Sequence, residues 1–202
     1  MVRKKGIKKN KFSLKKEYQK SWDYLKSSKK FIWIVIGVFL ASALIGFFIP
    51  APEIISDKIF EFVKEILLET KGMSQNQLIS FIFLNNIQSS FLGMVFGVFF
   101  GIFPVIFSIA NGYLLGFVAN LAVQDGGIFS LWRIFPHGIF ELPAIFISLA
   151  LGLKIGASIF NKKRFSKFNE NFISCLKVFV LIVIPLLIVA AIIEGSLIFL
   201  GA

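Results

Sequence analysis

The chain has 202 residues, of which 56% are hydrophobic and 16% charged, with a mean hydropathy of +0.81. Soluble domains carry roughly 25% charged residues, so composition excludes one and makes lipid the expected solvent. The net charge of +11 falls in two blocks that flank apolar runs, which is a positive-inside layout rather than a nucleic-acid footprint. The single Cys175 excludes an intramolecular disulfide and a cysteine-rich metal cage.

The expected fold is all-α: a polytopic transmembrane helix bundle of about five spans, with interfacial amphipathic helices. Residues 1–30 form a basic cytoplasmic juxtamembrane segment, with 12 Lys and Arg against Glu17 and Asp23. Within it Leu14, Tyr18, Trp22 and Leu25 recur at helical spacing among lysines, as in a helix lying on an anionic leaflet. Residues 31–202 form the membrane domain. The first span, 31–49, reaches about 28 Å at about 1.5 Å per residue, enough for a hydrocarbon core of roughly 30 Å. Pro50 and Pro52 stop it.

Residues 53–70 predict an extracytoplasmic amphipathic helix. Glu53, Asp57, Glu61, Glu65 and Glu69 repeat every four positions, while Ile55, Ile59, Phe62, Val63 and Ile66 occupy another face. Such a stripe reads either as a solvated face or as a docking surface for an extracytoplasmic partner. Further spans are expected at 78–100, 103–123, 134–153 and 178–200. The first two of these are joined near Gly101 by almost no loop. Before the last span, Phe165, Phe168, Phe172 and Leu176 predict a second interfacial helix.

The loops set the expected orientation. Residues 50–77 hold three lysines against five acids, whereas 154–177 hold six Lys and Arg against Glu170 alone. An odd number of spans puts both basic blocks on the cytoplasmic side of the cell membrane. The N-terminus is then cytoplasmic and the C-terminus extracytoplasmic.

Polar residues within the spans need partners inside the bundle, because lipid offers none. The candidate buried cluster is Asn85, Asn86, Asn111, His137 and Glu141. His137 and Glu141 share one helical face. They suit a hydrogen-bonded pair that locks helices together, a proton or ion relay, or part of a metal site. Small residues recur four apart, which lets helices approach closely: Gly93, Gly97 and Gly101, then Gly112 and Gly116, then Gly152 and Gly156. These stripes predict a core of spans two to four, with spans one and five packed outside it. No catalytic constellation is recognisable, and neither a metal nor a cofactor is expected.

The order Asn85-Asn86, the glycine stripe, Asn111-Gly112 with Gly116, Pro136-His137-Gly138-Ile139-Phe140-Glu141-Leu142-Pro143, then Leu151-Gly152-Leu153 and Gly156 resembles the stage II sporulation protein M family of integral membrane proteins. The resemblance covers about residues 84–156. It implies a non-enzymatic scaffold that organises envelope or cell-wall-remodelling partners. The alternative from the residues themselves is a small-solute or ion transporter using His137, Glu141 and the asparagines. Expected partners are the lipid bilayer and membrane or extracytoplasmic proteins, a homo-oligomer included; nucleic acid is not expected.

Overall fold

The computed structural model describes residues 13–133, 135–159 and 164–200, and leaves aside the side chains of residues 132, 133, 135–137 and 164–167. Among the described residues every regular element is helical. Eight α-helices follow in order: α1 Leu14–Ser27, α2 Lys29–Phe48, α3 Glu53–Thr70, α4 Gln75–Val95, α5 Ile102–Gly126, α6 Phe135–Ile159, α7 Arg164–Val178 and α8 Ile184–Leu200. Five stretches are long and apolar enough to cross a membrane: Lys29–Phe48, Gln75–Val98, Ile102–Gly126, Gly138–Ile159 and Phe168–Leu200.

The breaks follow local chemistry. After Phe48 the chain turns extended at Ile49, because the prolines at 50 and 52 cannot continue the helical ladder. At the start of α4 the Ser74 amide and hydroxyl both donate to Gln77 Oε1, each at 2.8 Å, which satisfies an otherwise orphaned end. A tight turn links α4 to α5 through Phe96–Val98, with Phe100 at φ 57° and Gly101 at φ 75°. Glycine carries the left-handed conformation there without penalty, whereas Phe100 is strained by it.

Where the sequence separates an interfacial helix ending near Leu176 from a last span starting at Val178, the structure has one uninterrupted run. A π-helical turn, Phe179–Val183, joins α7 to α8, and both flanking residues keep right-handed helical angles. The cause lies one turn on. Pro185 has no amide hydrogen for the Leu181 carbonyl, and widening the preceding turn accommodates the loss. The continuous helix of 33 residues, Phe168–Leu200, spans about 50 Å at about 1.5 Å per residue, with Glu170 and Lys177 in its first half. It therefore overshoots a bilayer core of roughly 30 Å.

α6 is the hub, touching α2, α4, α5, α7 and α8. Its seam of Ala144, Ser148, Leu151 and Ile155 is fully buried at the three-four spacing of a helix face. The most extensive pair is α2 with α5, which corrects the expectation that the first span packs outside the core. These two run parallel. A Cβ at Gly112 would collide with the Phe39 carbonyl, one at Gly116 with the Ala43 carbonyl, and one at Gly46 with the Tyr113 carbonyl. Ser108 adds a buried hydrogen bond to the Val35 carbonyl at 3.1 Å. α8 is likewise integrated, with Gly195 against the Ile79 backbone of α4. Gly195 stands alone in α8 and Gly46 lies nine residues from Gly37 in α2, so no four-residue stripe marks them in the sequence.

α3 contrasts with all of these. Among the described residues it has no buried position and packs broadly on no other helix. Ser56, Ile59, Val63, Ile66 and Thr70 form its half-buried stripe, and the Phe60 ring meets Phe117 of α5 at 5.8 Å. Ile55 and Phe62, expected on one apolar face with Ile59, Val63 and Ile66, are exposed.

Candidate functional site

Polar side chains gather at the two ends of the bundle. At the α3 end, Glu141 lies near the start of α6 and Glu194 near the close of α8, where Gln75 Nε2 of α4 donates to Ser196 Oγ at 3.0 Å. Glu141 and Asn111 line one groove of about 280 Å³ between α2, α5 and α6, among Phe39, Leu114, Leu142 and Ile145. Asn111 also donates to the Phe107 carbonyl of its own helix at 2.8 Å. That back-bond satisfies an amide in lipid without recruiting another helix. The Oε2 of Glu194 is buried with no hydrogen-bond partner among the described residues.

The sequence expects five residues in this cluster, and the structure brings Asn111 and Glu141 together. Asn85 is exposed and Asn86 half-buried on α4. Among the described residues no hydrogen bond joins either asparagine to Glu141. His137 falls in the first turn of α6, but its side chain lies outside the described residues. Among the described residues no three His, Cys, Asp or Glu side chains converge to hold a metal ion.

The glycine stripes mark where backbones meet. A Cβ on Gly97 would overlap the Gly152 carbonyl, and one on Gly156 would overlap the Gly101 backbone. Gly152 faces the Gly93 and Met94 carbonyls at 2.7 and 2.9 Å from such an atom. Gly93 is more lenient, since its nearest neighbour is the end of the Leu149 side chain, whereas Gly101, at φ 75°, would be strained by any side chain. On α3, Glu53, Asp57, Glu61, Glu65 and Glu69 are all exposed.

At the opposite end lies a cluster that the sequence reading does not anticipate. α1 runs antiparallel to α7, with Glu17 2.5 Å from Lys177 and 2.8 Å from Lys20. These lysines hold the Glu17 carboxylate down at about 2. Tyr24 donates to Asn171 Oδ1 at 3.2 Å, with its hydroxyl 3.5 Å from Cys175 Sγ. Burial raises the Tyr24 phenol well above its usual range. Lys154 of α6 closes the cluster. Its ammonium donates to Ser27 Oγ at 2.9 Å and Ser28 Oγ at 2.8 Å, and lies 3.6 Å from the centre of the Tyr24 ring. One sequence signal points to it: Lys154 interrupts an apolar run between Gly152 and Gly156, so its stem has to lie in a packed helix face.

A helical bundle with five membrane-spanning helices and its ionisable groups gathered toward the ends is an integral membrane protein. The chain belongs to the stage II sporulation protein M family, whose model matches residues 35–197. That match runs well beyond the motif-bearing middle and takes in most of α2 and α8. No curated protein and no solved structure matches the chain.

Proposed function

We propose that this protein is a non-enzymatic scaffold in the cell membrane that organises envelope or cell-wall-remodelling partners. Family membership supports the reading, and α3 carries it. This 18-residue helix is tethered at both ends, contributes no buried residue to the fold, and exposes five acids. A helix that adds so little to its own bundle is available for another protein. The positive-inside rule places the α1 end in the cytoplasm and α3 with the C-terminus outside. The test is capture of envelope proteins by the full chain and by the Asp57→Lys, Glu61→Lys, Glu65→Lys variant. Loss of captured proteins with an unchanged melting temperature supports docking on α3. An unaltered set of partners removes α3 from the account.

A second reading, transport of a small solute or ion, draws on the groove shared by Glu141 and Asn111. Intramembrane carboxylates often mark such pathways. Solute flux into liposomes that Glu141→Gln abolishes would favour it over the scaffold.

A further inference from the structure

The cations at the α1 end divide into two sets. Lys20 and Lys177 are occupied by Glu17, and Lys154 by Ser27, Ser28 and Tyr24. Lys15, Lys16, Lys26, Lys29 and Lys30 are exposed; Asp23 is the exposed acid of α1, and Glu170 is exposed on the neighbouring α7. The acid that could have neutralised this surface, Glu17, is turned onto α7 instead. Two of the exposed cations flank an aromatic pair. Lys15 shares a shallow hollow with Tyr18, Gln19 and Trp22, and the Lys26 ammonium stands 6.0 Å from the centre of the Trp22 ring. Tyr18 and Trp22 are about half exposed.

The packing of α1 fixes the level of this face. Its first turn, Leu14 and Glu17, lines a groove with Leu176, Lys177, Val180 and Leu181, where the last span becomes continuously apolar. Its far end runs directly into α2, the first span. The Tyr18–Trp22 face therefore sits at a membrane boundary, where indole and phenol rings favour the headgroup layer. Leu25, expected on the same lipid-facing stripe, is buried against the bundle. With Leu25 on the bundle side, the exposed face of α1 sets Lys15 and Lys26 beside Tyr18 and Trp22.

We propose that the exposed Lys15–Tyr18–Trp22–Lys26 face of α1 is a binding surface for anionic phospholipid headgroups of the adjoining leaflet. The aromatic bodies enter the headgroup layer while the two ammonium groups meet phosphate.

The test uses the full chain in phosphatidylcholine nanodiscs, with Trp33→Phe and Trp132→Phe leaving Trp22 as the sole tryptophan. Energy transfer from Trp22 is compared for traces of dansyl-labelled phosphatidylglycerol and dansyl-labelled phosphatidylcholine. The anionic lipid should be enriched, and Lys15→Gln with Lys26→Gln should lower that preference by about five-fold per lysine. Lys58→Gln, on α3, should leave it unchanged. Should the double variant fold poorly, a salt titration of the parent decides, because molar salt must abolish the preference. Equal transfer to the two lipids, a salt-insensitive preference, or tighter capture of a short RNA duplex than of the lipid overturns the proposal.

Discussion

The Lys154 ammonium stands 3.6 Å from the centre of the Tyr24 ring, joining α6 to α1 across 130 positions of sequence. A partly desolvated cation–π contact contributes about 0.5–2 kcal/mol. Tyr24→Leu should therefore lower stability in detergent by that amount beyond Tyr24→Phe, which forfeits only the hydroxyl bonds to Asn171 and Cys175. Thermal melts of the two variants, each combined with Lys154→Met, isolate the ring contribution. Equal melting of Tyr24→Leu and Tyr24→Phe would show that the ring adds nothing.

Glu17 should tie α1 to α7 in a pH-dependent way. Its carboxylate is lowered from 4.5 to about 2 by Lys177 and then Lys20. The stabilisation is therefore complete above about pH 4.5 and fades as pH falls toward about 2. Trp22 emission, in a chain lacking the other two tryptophans, should change across that window and lose the change in Glu17→Gln. A transition of equal size in the variant would assign it to another carboxylate.

Glycines should separate into two groups. Gly97→Ala and Gly116→Ala drive a Cβ into backbone carbonyls and should cost about 1–3 kcal/mol. Gly37, with open space around its Cβ position, should accept alanine and gain up to about 1 kcal/mol from helix propensity. Gly93→Ala should fall between, since the Leu149 side chain can yield. Equal melting temperatures across the series would mean that these faces meet lipid.

Glu141 has no hydrogen-bond donor among the described residues. Holding an unpaired carboxyl group half-buried at membrane depth costs free energy, so Glu141→Leu should leave the melting temperature unchanged or raised. A lower melting temperature would instead assign the carboxylate a donor that holds helices together.

The bundle was readable because its signals are local. The apolar runs, the prolines after Phe48 and the glycine stripes lie within single helices and follow their period. The prominence of α2 was not readable, because Gly112 and Gly116 declare a close approach without naming the helix that makes it. Lys154 resembled one more cytoplasmic lysine until Tyr24 and Ser28 were found beside it, more than a hundred residues away in sequence. Counting charges likewise placed Glu17 and Lys177 in separate segments, although each is the other's partner. The Asn111–Glu141 groove was legible in part, since both lie at membrane depth. Asn85 misled because its helix turns it outward.

The most direct test of the account is the sidedness of its two polar ends. In intact cells carrying a Cys175→Ala background, a membrane-impermeant maleimide should label Asp57→Cys on α3. It should label Lys26→Cys on α1 only after the cells are opened. Labelling of Lys26→Cys in intact cells, with Asp57→Cys protected until lysis, would invert the protein in the membrane and contradict both the outward docking helix and the inward basic face.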